Sequence, residues 1–231
     1  MELRDALRTT GAVRDFTPDP VPDGTLLRIL DTARFAPSGG NRQAWRVVVV
    51  RDPAIRTGLR ELYKPVWYDY LAINAAGMVP FAPVTDLEAE GQAVDGRAAD
   101  IAADASAGPG GFAEHFDEVP VLLAVLADLR ALAAVDRDLG RYTLAGGASI
   151  YPFVWSVLLA ARDEGLGGVV TTMVIRREEE ARRLLGVPGD MAIAALVALG
   201  HPVHQPTRLT RQEVAAFTTI DRADGAPFGD A

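Results

Sequence analysis

Few of the side chains that usually carry enzyme chemistry fall into a working pattern in this chain. The serine turns Pro37-Ser38-Gly39 and Gly147-Ala148-Ser149 lack the Gly-x-Ser-x-Gly spacing of a nucleophile elbow, which argues against a serine hydrolase. His201 and His204 are three apart, but Pro202 between them breaks the helical face that a metal-binding pair uses, and a third ligand is missing, so no metal site is expected. With no cysteine in the chain, disulfides, thiolate zinc sites, cysteine-held iron–sulfur clusters and cysteine nucleophiles are all excluded. Gly165-Leu166-Gly167-Gly168 has the glycines of a dinucleotide loop but follows a helix and precedes a strand, the reverse of a pyrophosphate site, and reads as a helix C-cap. Glu178-Glu179-Glu180 faces arginines on its own helix and reads as a solvated surface. What remains is the loop Ala36-Pro37-Ser38-Gly39-Gly40-Asn41, whose glycines let main chain approach a ligand closely.

The elements that must position this loop follow from periodicity. A short amphipathic helix over Glu2–Thr9 precedes a turn at Gly11, and Asp23 caps a second helix reaching about Phe35. Trp45–Val50 reads as a buried strand, and Asp52-Pro53 opens a third helix. From about 65 to 117, aromatics around Trp67–Tyr70 give way to an Ala/Gly/Asp-rich stretch, read as a variable insertion or mobile lid. Strands are expected at Val121–Leu126, Gly168–Val174 and Ala192–Leu199, a long apolar helix at Ser149–Arg162, and a surface helix at Arg176–Leu185 closed by Gly186, with Glu178 and Glu179 facing Arg182 and Arg183. The helix around Trp155 is apolar enough to need cover on every side, from a partner subunit or from a central position in the core. Helices first, then strands separated by helices of unequal length, favour an α+β fold over a doubly wound sheet.

Length and charge bound the rest. A chain of 231 residues fits one large domain, taken as 1–231. The net charge of −8 opposes nucleic acid and anionic membranes alike. A charged start at Met1–Asp5 and the lack of a spanning apolar run point to a cytoplasmic protein.

The segment Ala36–Trp45, preceded by Arg14-Asp15-Phe16 and Pro20-Val21, resembles the N-terminal signature of the nitroreductase family. Val170-Thr171-Thr172 and the tail Pro206–Arg211 match further segments in the expected order, so the resemblance spans about residues 8 to 211 apart from the insertion. It implies a central, mostly antiparallel sheet flanked by helices, an intertwined homodimer, FMN at the subunit interface, and NADH or NADPH reducing it. The substrate it implies is a small, electron-poor molecule such as a nitroaromatic or quinone, turned over by a ping-pong mechanism. By the same resemblance Arg14, Arg208 and Arg211 clamp the FMN phosphate, for which guanidinium forks are well suited. Pro37, Ser38, Gly39, Asn41 and Gln43 contact the flavin, and Val170, Thr171 and Thr172 lie beside its N5. The flavin carries the chemistry, so no individual catalytic residue is assigned.

Two departures from the family pattern bear on function. Thr10-Gly11-Ala12 stands where relatives often carry Arg-Arg-Ser, leaving Thr10, the backbone at Gly11 or Arg8 to serve the phosphate, or leaving FMN bound more weakly. Trp155-Ser156 replaces a Gln-Asn pair in the long helix. The alternatives are a specialised flavin enzyme on the same fold (a dehalogenase, a biosynthetic dehydrogenase or a flavin-degrading enzyme) and a non-catalytic flavin-binding protein. Trp67, Tyr68, Tyr70 and Phe112 are the expected substrate-selecting side chains of the lid.

Overall fold

The computed structural model describes residues 1–229, so the last two residues of the expected 1–231 domain lie outside the described residues. The sheet is built from β1 (Trp45–Val49), β2 (Val121–Asp128), β3 (Gly167–Thr171) and β4 (Met191–Gly200). They lie in the order β1-β2-β4-β3, with every neighbouring pair antiparallel. Strand β2 is buried along its whole length because both of its faces are covered, which is why its sequence is a continuous apolar run rather than an alternation. Leu123 and Val125 face one core with α2 (Asp23–Ala33) and α5 (Tyr151–Asp163). Leu122, Ala124 and Leu126 face a second core with α3 (Pro53–Ala75) and α6 (Glu178–Leu185). The result is the expected α+β architecture, three layers with the sheet in the middle. Before α2, α1 (Leu3–Thr9) packs against α5. Among the described residues no helix is long and apolar enough to cross a membrane.

The structure departs from sequence expectation most in the 65–117 segment. Instead of breaking at Pro65, α3 runs through it for 23 residues, and α4 (Leu87–Ala107) adds another 21. Proline costs α3 one hydrogen bond, to the carbonyl of Glu61, which sits on an exposed turn. The buried face of Leu59, Tyr63, Val66, Ala72 and Ile73 more than offsets that loss. At the start of α4, Asp86 Oδ1 accepts from the amides of Glu88 and Ala89, both at 3.1 Å, and alanine's high helix propensity carries the rest. The only buried residue of α4 is Glu90, whose Oε1 accepts from the Phe81 amide at 3.0 Å.

Smaller corrections follow local chemistry. The third strand stops at Thr171, where Thr171 Oγ1 accepts from the Met173 amide and the chain turns into a single 3-10 turn over Met173–Arg177. Helix α6 therefore begins at Glu178 and ends at Gly186 with φ +63°, the left-handed cap expected there. Glu179 pairs with Arg183 at 2.9 Å, but Glu178 instead accepts from the Ile193 amide at 2.7 Å and Arg182 donates to the Pro188 carbonyl. The triple-glutamate run is thus only partly a solvated face. On α5, Phe153, Val154, Val157 and Leu158 are buried within the chain, while Tyr151 and Trp155 remain exposed.

Candidate functional site

The residues singled out from the sequence gather into two groups at opposite corners of the sheet. The first forms along the β3 edge. Ala12 bridges to Gly168 in parallel, with the Val13 amide donating to the Gly168 carbonyl at 2.9 Å, and Phe16 bridges to Pro202. The tail after β4 returns to the same place: Gln205 Nε2 donates to the Thr9 carbonyl at 3.1 Å. A Cβ on Gly11 would lie 2.9 Å from Leu209 Cδ2 and 3.1 Å from Pro206 Cγ, so the tail packs directly against the first turn at this glycine. Thr10 and Gly11 are thereby packed into the segment that carries Arg208 and Arg211, with Arg14 three residues beyond Gly11. Among the described residues none of Arg14, Arg208 and Arg211 has a carboxylate partner, although carboxylates outnumber cations in the chain. Among the described residues Thr10 Oγ1 is buried without a hydrogen-bond partner, as is Gln205 Oε1.

Thr171 lies three residues beyond Gly168 on the same edge strand, level with Leu196 and Ala124, and Val170 and Thr172 flank it. Thr171 is buried on the same sheet face as Val169, Val170 is half-buried toward the other core, and Thr172 is exposed. Tyr63 of α3, 2% exposed, sets its hydroxyl beside Thr171 and within the field of Arg14. Burial pushes this phenol above its ordinary range, against the opposing pull of Thr171 and Arg14. A cavity of about 800 Å³ opens next to it, lined by Arg14, Phe16, Trp67, Phe112, His115 and Glu118. Of the four aromatics expected to select substrate, Trp67 and Phe112 line this cavity and Tyr70 stacks on Trp67 with ring centres 5.1 Å apart. Tyr68 points away: it is buried and its hydroxyl donates to Glu114 Oε1 at 2.7 Å.

The second group is the turn before β1. Gly40, Asn41 and Gln43 have φ of +61°, +51° and +49°, and strained non-glycine backbone of this kind is characteristic of ligand-facing turns. The turn is held from within and behind: Ser38 Oγ accepts from the Gln43 amide at 3.0 Å, Gln43 Nε2 donates to Asn41 Oδ1 at 3.3 Å, and Ser149 Oγ accepts from the Gly39 amide at 3.0 Å. Pro37, Gly39, Asn41 and Gln43 all face outward.

These two groups do not meet within one chain. Trp45 at the start of β1 is level with Ala127 and Ala192, whereas Gly168 beside Ala12 is level with Leu199 and Val121. Three strand spacings from β1 to β3, with a fourth to the bridged Ala12 segment, and six residues along β2 separate the corners by roughly 20 Å in each direction. Ser149, Tyr63 and Gln205 were not recognisable as site residues from the sequence. Only Gln205 carried a usable signal, its place immediately before the matched tail.

Residues 7–201 match the model of the Nitroreductase family. Over 218 residues the chain is 34% identical to an NADH dehydrogenase of Thermus thermophilus, covering 89% of each protein. It is 29% identical to a 5,6-dimethylbenzimidazole synthase of Rhodobacter capsulatus, covering 87% of this chain and 83% of that protein. In fold it resembles the crystal structure of a putative nitroreductase in complex with FMN from Desulfovibrio desulfuricans, with a TM-score of 0.62 at 21% identity, over 94% of this chain and 95% of that one.

Proposed function

The chain belongs to the nitroreductase family, and from that premise we propose that it is an FMN-dependent oxidoreductase, working as a homodimer, that passes electrons from NADH or NADPH to a small electron-poor substrate. The observation that carries this reading is the pair of half-sites on opposite sheet corners, each outward-facing and each incomplete alone. A second copy that brings its Pro37–Gln43 turn to the Arg14 corner completes the arrangement. The face of α5 that exposes Tyr151 and Trp155, beside an apolar groove of about 920 Å³ that Leu132 and Ala194 also line, supplies a surface for that contact.

The residues present fit FMN. Among the described residues Arg14, Arg208 and Arg211 have no carboxylate partner and suit a phosphate, and the buried Thr10 hydroxyl has no hydrogen-bond partner where relatives often place arginine. FMN, when bound, supplies reversible hydride acceptance at its N5. The protein's part is to bind and orient. Arg14, Arg208 and Arg211 would hold the phosphate, and the Ser38–Gln43 turn of the partner copy would offer backbone donors and amide side chains to the cofactor's polar chain and ring. Thr171 and Thr172, with the backbone of Val170, would present polar groups at the end of β3, and the buried Tyr63 hydroxyl lies beside Thr171. Trp67 and Phe112 form an apolar wall suited to a planar ring. Donor and acceptor would use this one cavity in turn, so ping-pong kinetics are expected.

The deciding experiment is the visible absorption spectrum of the purified protein, followed by anaerobic addition of NADH or NADPH. Flavin bands that bleach on addition support the reductase. A colourless protein that also fails to take up added FMN overturns the cofactor assignment. The likeness to 5,6-dimethylbenzimidazole synthase favours a second reading, a specialised flavin enzyme on the same scaffold. A turnover panel of nitroaromatics, quinones and halophenols separates the two, since inactivity on all three counts against a broad-spectrum reductase.

A further inference from the structure

The turn that joins α4 to the wall of the cavity is fastened by two side chains that follow it. Gly110 takes φ +72° and a Cβ there would lie 2.7 Å from the Cβ of Glu114, so the turn closes tightly onto the residues after it. Glu114 Oε2 accepts from the Gly111 amide at 2.6 Å, while its other oxygen accepts from Tyr68. Burial alone would raise the Glu114 carboxyl, but the Gly111 amide and the Tyr68 hydroxyl outweigh it and hold the group below its ordinary range, so this bond does not itself titrate near neutral pH.

The His115 fastening is of a different kind. Its Nε2 faces the Pro109 carbonyl oxygen at 2.8 Å and its Nδ1 faces Glu118 Oε1 at 3.1 Å. Both partners only accept, so the ring satisfies both only as the imidazolium; the neutral ring has one N–H and must release one of them. His115, Gly110, Gly111 and Phe112 all line the same cavity as Arg14 and Trp67.

We propose that His115 is a proton-operated clamp on the Gly108–Gly111 turn, closing the cavity wall when charged and releasing Pro109 or Glu118 when neutral. The charged groups around it are Glu114 and Glu118 on its own turn and, across the cavity, Arg14 and Asp15 on the segment leading to Phe16; Trp67, which faces it from α3, is neutral. The Pro109 carbonyl first, then Glu118, raises the imidazole above its ordinary value of 6.5. Protonation and closure therefore prevail below that raised value, and the clamp opens as pH rises through it. Its consequence for catalysis, a wider cavity and weaker hold on a planar substrate at alkaline pH, rests on the reductase reading above. The clamp itself does not.

The test uses the full chain without substrate. The His115 ring is titrated by nitrogen NMR between pH 5.5 and 8.5, and exchange protection of the Gly111 amide, which Glu114 holds only while the turn is closed, is followed over the same range, corrected for intrinsic exchange. Protection should fall roughly tenfold with the titration of His115, the scale of one hydrogen bond to a charged group, and His115→Gln should give a lower, pH-independent protection. Protection that stays constant through the His115 titration, or that follows the same profile in His115→Gln, overturns the clamp. Either result leaves the flavin assignment untouched, because that is read from the visible spectrum.

Discussion

The backbone amide of Gly39 donates to Ser149 Oγ at 3.0 Å, joining positions 110 residues apart. The bond fastens the strained turn before β1 to the entry of α5, so the turn and the helix proposed to meet a second copy are held as one body. Ser149→Ala should lower stability by about 1 kcal/mol, the ordinary worth of such a bond, seen as a lower urea midpoint. It should also weaken FMN binding by loosening a turn proposed to meet the cofactor of a second copy. A variant with full stability and unchanged affinity would show that Ser149 does not position the turn.

The arginine clamp is tested by comparing two ligands. Arg208→Ala with Arg211→Ala removes two guanidinium groups, each worth roughly 1.5–3 kcal/mol to a charged acceptor. FMN affinity should drop by about a hundredfold or more, while affinity for riboflavin, which has no phosphate, should hardly change. Equal losses for both ligands would move these arginines away from the phosphate.

Trp155→Glu places a charge on the exposed face of α5, beside the apolar groove. If that face meets a second copy, light scattering should report a monomer at concentrations where the parent is a dimer, and flavin should be lost with it. A dimeric variant that keeps its flavin would put the subunit contact elsewhere.

Glu90 is the only buried side chain of α4, and it accepts from the Phe81 amide. Glu90→Ala removes that contact and leaves a half-buried amide unpaired, a cost of about 1 kcal/mol that falls on the helix and not on the sheet. Limited proteolysis should cut first within residues 76–110, with the global melting temperature nearly unchanged. Cooperative loss of the whole fold would mean that α4 is integral to the core.

Asp136 is 3% exposed and accepts from the amides of Leu144 and Ala145 at 2.6 and 3.1 Å and from Arg141 at 2.9 Å. The Leu144 amide foremost, with Ala145 and Arg141, lowers its pKa from 3.8 to about 2, against the opposing effect of burial. A lowered carboxylate stabilises the folded state above its unfolded pKa, and that contribution is lost as pH falls through the folded value. Stability should therefore decline between about pH 4 and about pH 2 in the parent, and Asp136→Asn should be less stable near neutrality and flatter over that window. Parallel acid profiles would remove Asp136 from the account.

Much of the fold is written in local sequence. Periodicity and caps place α2 after Pro22, α3 behind Asp52, whose side chain accepts from the Ala54 and Ile55 amides, and the stop of α6 at Gly186. The apolar run of β2 announces a strand covered on both faces. These signals are legible because each depends on residues within a turn or two of one another. Helix α4 was hidden because it is nearly all alanine and charge, with no apolar stripe to reveal its period, and α3 passes Pro65 because burial of its inner face overrides a local penalty.

For the site, the sequence determined which residue types are available: the arginines of the first turn and tail, the glycine turn before β1, and the threonines after α5. It could not determine that Gln205 and Leu209 close on Thr9 and Gly11, or that Tyr63 reaches Thr171, since each contact joins segments brought together only when the sheet forms. Nor could it assign the half-sites to opposite corners. That separation comes from the strand order β1-β2-β4-β3, which puts the strand that follows one motif and the strand beside the other at the two edges of the sheet.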